Sequence, residues 1–179
     1  MSIINKIIYN FENNNKLYIG EKVTMSEHML QTAMLAEKNN SSNSLVCACL
    51  LHDYGHFIVD DPDMMVSKSI DANHELIGYD YLKNYFTPAV TEPIKLHVDA
   101  KRFLCRDKSY YNQLSTASKT SLKLQGNSMN DEEAKNFQKL KYFNDAIEVR
   151  KYDDGGKDPN IKIKNIGDFK ELLNSQLIT

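Results

Sequence analysis

The chain has 179 residues, 41% of them hydrophobic and 26% charged, a length and balance that fit one domain with a full core and leave little room for a second. Its net charge of -2 argues against an extended nucleic-acid footprint and still allows a local basic pocket for a small acidic ligand. No apolar run approaches the roughly 20 residues that span a bilayer, so no membrane association is expected.

In chain order the elements read as helices. Ile3, Ile4, Ile7, Ile8 and Phe11 repeat at helical spacing over Ser2 to Asn14, with Lys6 and Glu12 among them, a pattern that fits an amphipathic helix better than a signal peptide. Thr24-Met25-Ser26-Glu27 has the form of a capping box and opens a helix through about Lys38. A third helix runs from Ser44 to Tyr54. Asp71 can cap one reaching about Tyr85, and Pro88 or Pro93 can start the next, through about Leu104.

A short helix from Ser115 to Leu124 and a long one from about Asp131 to Arg150 follow, the latter stopped by Asp153-Asp154-Gly155-Gly156. After the turn at Asp158-Pro159, Ile161, Ile163 and Ile166 lead into a closing helix. Asn13 to Asn15, Asn39 to Asn43 and Ser67 to Ser69 are polar connectors. No alternating strand pattern competes, and the expected fold class is an all-α bundle forming a single domain over 1–179.

Cys47, Cys49 and Cys105 give an odd count, and Cys47-Ala48-Cys49 sits in the apolar run Leu45 to Leu51, where thiols act as small core residues. A reducing, cytoplasmic setting is expected.

The chemistry resides in the five histidines: His28, His52, His56, His74 and His97. His52 and His56 are four apart, which on a helix puts them on one face roughly 6 Å apart. His97 and Lys101 repeat the spacing. His28 and His74 each stand beside residues expected to face the core: Met29 and Leu35, Leu76 and Ile77. A lone histidine on an apolar face is more often a satisfied core residue. Four helices aiming imidazoles at one interior, with Asp53 adjacent to His52, instead suggest a metal centre of two ions, and this mixed donor set suits iron, zinc or manganese.

Leu51-His52-Asp53-Tyr54-Gly55-His56 resembles the central motif of the HD-domain superfamily. Flanking stretches narrow the resemblance: Tyr18-Ile19-Gly20-Glu21, Glu27 to Gln31, His74-Glu75 with Gly78, His97 to Arg102, Leu124-Gln125-Gly126 and Arg150 to Asp154. Together they are similar to the mixed-valent diiron oxygenases that cleave the carbon–phosphorus bond of 1-hydroxyalkylphosphonates, relatives of the inositol oxygenases. Asn127-Ser128 departs from the Gly-Pro expected there, which bears on substrate fit rather than on the metals.

The resemblance implies two iron ions in a mixed-valent Fe(II)/Fe(III) pair, with dioxygen as co-substrate and a small phosphonate as substrate. His28, His52, Asp53 and Asp153 would hold one iron, with Asp53 bridging to a second held by His74 and His97. Asp154 is the rival of Asp153, chosen against because the family places its last ligand three residues after the arginine, here Arg150. Tyr18 would occupy the second iron until substrate displaces it, Glu21 would help recognise substrate, and His56 would handle a proton near it.

Lys101 and Arg150 are the expected donors to a phosphonate dianion, with Ser118 and Ser121 as further hydroxyl contacts. Two other readings use the same residues. A dinuclear HD phosphohydrolase acting on a nucleotide or phosphate ester shares nearly all the ligands, and a non-catalytic regulatory module would keep the fold with a degenerate ligand set. The sequence leaves the substituent on C1 and the oligomeric state open.

Overall fold

In the computed structural model the described residues are 1–18, 20–58 and 73–178. The Ser67 to Ser69 connector, the Asp71 cap and Ile19 lie outside them.

Helix α1 (Ile3–Asn13) is capped by Ser2, whose side chain accepts from the Asn5 amide, and it buries Ile4, Ile7 and Phe11 as the spacing requires. Helix α2 (Met25–Lys38) opens on the expected capping box, Thr24 and Glu27 each accepting the other's backbone N–H. Helix α3 (Asn43–Leu51) starts one residue earlier than expected, on a Ser42 cap, and is buried without a break from Leu45 to Leu51. A helix apolar on all sides belongs in the centre of a fold. Accordingly α3 packs against α2, against α6 (Pro88–Leu104) and against α10 (Phe143–Gly155). Cys47 and Cys49 are free, buried thiols of this core.

The third helix does not reach Tyr54. It ends at Leu51, and a turn over 52–54 leads into the single-turn α4 (Gly55–Ile58). His52 and His56 therefore do not share a helix face. The reason is a close approach: a Cβ on Gly55 would lie 2.0 Å from the carbonyl oxygen of His74, so this turn seats directly on the start of α5 (His74–Leu82). Leu76, expected to face the core, is 41% exposed, because α5 turns His74, Glu75, Gly78 and Leu82 inward instead.

Pro88 occupies the first turn of α6, where its missing N–H has no helical partner to lose, and Pro93 lies within the helix. The segment Lys108–Gln113 forms α7, a short helix capped by Asp107 that the periodicity does not reveal. Helix α8 (Thr116–Leu124) takes Ser115 as its cap.

The long helix expected from Asp131 to Arg150 is two: α9 (Asp131–Phe137) and α10, whose rings Phe137 and Phe143 pack edge to face at 5.1 Å. At its far end α10 runs through Asp153 and Asp154 to Gly155 rather than stopping before them. Arg150 pairs with Asp153 and Asp154 one turn on, which neutralises acids that would otherwise oppose the C-terminal dipole. A 3-10 turn (Ile166–Phe169) and α11 (Lys170–Ser175) close the core against α1.

Among the described residues no strand forms, only isolated bridges such as Leu17 with Thr24. None of the helices among the described residues is long and apolar enough to cross a membrane.

Candidate metal centre

The turn after α3 delivers His52 and Asp53 from the end of a buried helix into the space between α2, α5, α6 and α10. There two groups of donors meet, all buried: His28, His52 and Asp153, and Asp53, His74 and His97. The carboxylate of Asp53 lies between them. Its Oδ2 is 3.6 Å from His28 Nε2 and 3.4 Å from His52 Nε2, and its Oδ1 is 3.1 Å from His74 Nε2 and 3.6 Å from His97 Nε2.

Backbone carbonyls orient three of the four imidazoles. His28 Nδ1 faces the Gly156 carbonyl at 2.8 Å, His52 Nδ1 that of Cys49 at 2.9 Å, and His97 Nδ1 that of Ile94 at 2.7 Å. A carbonyl can only accept, so each Nδ1 carries the proton and each Nε2 presents a lone pair to the interior. The first of these contacts requires a glycine at 156, where a Cβ would lie 2.5 Å from Thr32 Oγ1.

Nε2 atoms then face each other in pairs at 3.2 Å, His28 with His52 and His74 with His97. Between His28 and His52, whose Nδ1 atoms both face carbonyls, two neutral-imidazole lone pairs at that distance repel unless a proton or a cation lies between them. Asp153 Oδ1, 3.3 Å from His28 Nε2, is buried and accepts no hydrogen bond among the described residues. Inward lone pairs and an unmet buried carboxylate oxygen fit a pair of bound cations, and imidazole with carboxylate is a donor set for a first-row transition metal. The two trios, with Asp53 between them, have the donors that a dinuclear metal site needs.

For Asp53, Asp153 and His97 the electrostatics favour the deprotonated state that ligands need. Burial works to raise Asp53, but His52 and His74 outweigh it and hold the carboxyl well below its usual range. Burial likewise opposes ionisation of Asp153, and the Arg150 guanidinium prevails. Burial pushes His97 down to about 4, against its hydrogen bond to Asp53. His52 differs: burial lowers it, and the charges of Asp53 and Asp153 more than compensate, carrying it up to about 9.

Asp153, rather than Asp154, has an oxygen in the first trio. Asp154 is turned outward to Arg150 and to the Tyr110 hydroxyl.

Beside the centre opens a small cleft of about 50 Å³, and Tyr18, Glu21, His56, Lys101, Ser118, Ser121 and Arg150 all line it. Tyr18 stacks on His28 with ring centroids 4.2 Å apart, so its ring lies on the side of the first trio rather than against His74 and His97, where the resemblance would put it. His56 stacks on His74 at 4.5 Å, and burial pushes it down to about 3, so it is a neutral base at the edge of the site. Lys101 is buried one turn beyond His97 and donates to Ser121 Oγ at 2.9 Å. Arg150 also lines the cleft, but its guanidinium is bonded to Asp153, Asp154 and the Tyr110 hydroxyl, so much of its fork is already committed.

Three lining residues escaped the sequence reading: Met25, Ala117 and Lys157. The last stands four positions past Asp153 and could have been found as the basic residue that follows the Asp-Asp-Gly-Gly stretch.

A model of the HD domain matches residues 25–135. The chain is 39% identical over 157 residues to [1-hydroxy-2-(trimethylamino)ethyl]phosphonate dioxygenase (glycine-betaine-forming) of Leisingera caerulea, covering 87% of this chain and 80% of that protein. It is 38% identical over 168 residues to the hydroxymethylphosphonate dioxygenase of Gimesia maris, covering 93% and 84%. An uncharacterised protein of Acanthamoeba polyphaga mimivirus is 38% identical over 159 residues, covering 87% and 73%. The chain belongs to the HD-domain family.

Proposed function

We propose that this protein is an iron- and dioxygen-dependent oxygenase that cleaves the carbon–phosphorus bond of a 1-hydroxyalkylphosphonate, releasing phosphate and a carboxylic acid. The observation that carries the reading is Asp53, whose two oxygens each face a separate trio beside a cleft lined by cations. The names of the Leisingera and Gimesia relatives support it over the hydrolysis of a phosphate ester. The stoichiometry balances for hydroxymethylphosphonate, since one dioxygen supplies one oxygen to formate and one to phosphate.

In this reading His28, His52, Asp153 and Asp53 hold one iron, and Asp53, His74 and His97 hold the other, as a Fe(II)/Fe(III) pair. Bound there, the pair would supply the redox capacity to activate dioxygen that no protein side chain has. The remaining residues orient and neutralise. Lys101, buried and aligned by Ser121, binds a phosphonate oxygen through a charge-assisted hydrogen bond, with Ser118 beside it. Arg150 holds Asp153 in place and adds positive charge to the cavity. His56, neutral and at the rim of the second trio, accepts a hydrogen bond from the substrate's 1-hydroxyl. The Tyr18 ring covers the first trio from the cleft side and yields to substrate, and Glu21 faces the substituent on C1.

Aerobic incubation of the iron-loaded protein with hydroxymethylphosphonate tests the reaction. Oxygen uptake and phosphate release in equal amounts are expected, together with an electron paramagnetic resonance signal of a coupled ferrous–ferric pair. Phosphate released without oxygen from a phosphate ester would instead identify a hydrolase.

A further inference from the structure

Among the described residues lining the cleft there is one carboxylate, Glu21, and beside it a third cation, Lys157. Glu21 Oε1 is buried and accepts no hydrogen bond among the described residues, and Lys157 Nζ faces it at 3.5 Å. The same ammonium reaches Ser118 Oγ at 3.4 Å and stands 5.5 Å from the centre of the Tyr18 ring. Both partners of the ion pair are largely shielded, with side chains 13% and 15% exposed. Lys157 thus crosses the cleft from the end of α10, between the Tyr18 and Glu21 loop and the first turns of α8. On its far side the loop is tight against α8, for a Cβ on Gly20 would lie 2.9 Å from Ala117 Cβ.

We infer that Lys157 is a specificity-determining residue, which selects a phosphonate whose C1 substituent carries no positive charge. The inference rests on the phosphonate reading of the site and names its substrate class. By itself, the Glu21 carboxylate would attract an ammonium group on the substituent. Paired with Lys157 it presents a neutral couple, and an incoming ammonium would have to displace Lys157 and meet a like charge in a shielded space, a penalty paid only by the wrong substrate. The arm of Lys157 also fills volume that a bulky substituent needs. A bare hydroxymethyl group, or one extended by an uncharged or anionic substituent, avoids both costs.

Binding of unreactive analogues separates this inference from the reaction itself. Isothermal titration of the iron-loaded protein is expected to favour methylphosphonate over 2-aminoethylphosphonate by about tenfold or more. Lys157→Met should narrow or reverse that ratio. Glu21→Gln should tighten phosphonoacetate by about tenfold, because Lys157 is then released to the added carboxylate; this second variant decides the matter if Lys157→Met does not fold. A wild-type preference for the amine, a ratio unmoved in Lys157→Met, equal weakening of both ligands in that variant, or unchanged phosphonoacetate binding in Glu21→Gln would each overturn the assignment. If the preferences hold but hydroxymethylphosphonate consumes no oxygen, the oxygenase reading fails and the selectivity stands. If neither phosphonate binds, both fail.

Discussion

The metal centre and the cleft beside it are built by different means. In the centre, the imidazoles of His28, His52 and His97 are each fixed by a backbone carbonyl within a helix or at its end. In the cleft, Lys101, Arg150, Lys157 and Glu21 are held by other side chains at the ends of long flexible stems. Moving a carbonyl means moving a helix, whereas re-pairing a lysine needs only a rotamer change. A single protein can therefore keep one chemistry rigid while its choice of substrate changes by substitution at the rim.

The sharpest way to break this contrast is at Asp53, the residue on which both trios depend. Asp53→Ala should lower activity by more than about 100-fold, since removing even an outer orienting partner of a metal ligand costs about 10- to 100-fold. Metal analysis should find fewer than two ions per chain. Retention of two ions would mean that the trios do not share this carboxylate.

Gly55→Ala attacks the backbone support rather than a ligand. Its Cβ would collide with the His74 carbonyl, so the turn or α5 must shift, at a cost of about 1–3 kcal/mol in unfolding free energy. Denaturant melts would measure this, and reduced metal content should accompany it because His74 moves.

On the cleft side, Lys101→Ala should leave both ions in place and raise KM for a phosphonate about 10- to 100-fold, the equivalent of one charge-assisted hydrogen bond. Loss of metal in this variant would show that centre and cleft are not separable.

The smallest effect is that of pH on the metal-free protein. His56 and His97 have folded-state values pushed down to about 3 and about 4, below the unfolded value of about 6.5. The unfolded chain therefore binds more protons in between, and stability falls as pH drops from about 6.5 towards 4. His52, raised to about 9, has the opposite sign: its contribution is fully present below about 6.5 and is lost only as pH rises through 9. Thermal melts of metal-free protein should thus show a declining midpoint on the acid side, and bound metal should reduce that slope, because metal competes with protons for the same nitrogens.

Much of the fold was legible because helix signals are local. The Thr24 capping box, the Ile4, Ile7 and Phe11 stripe and the all-apolar α3 each follow from residues within a few positions of one another. The errors arose where a distant contact overrides a local pattern. His52 and His56 have helical spacing, yet Gly55 seats on the His74 carbonyl and breaks the helix between them. Asp153-Asp154-Gly155 looks like a helix stop, yet Arg150 pairs with both acids and α10 continues through them.

The amino-acid sequence by itself determined the kind of donors, their order and the helices that bear them, since residue type and 3.6-residue spacing are properties of short segments. Only the tertiary structure decided which imidazole faces which, which oxygen of Asp53 lies nearest each of them, and that Lys157 reaches Glu21 from the other end of the chain. Those are distances between segments far apart in sequence, and they are set by how the helices pack and by which polar groups must find partners once water is excluded.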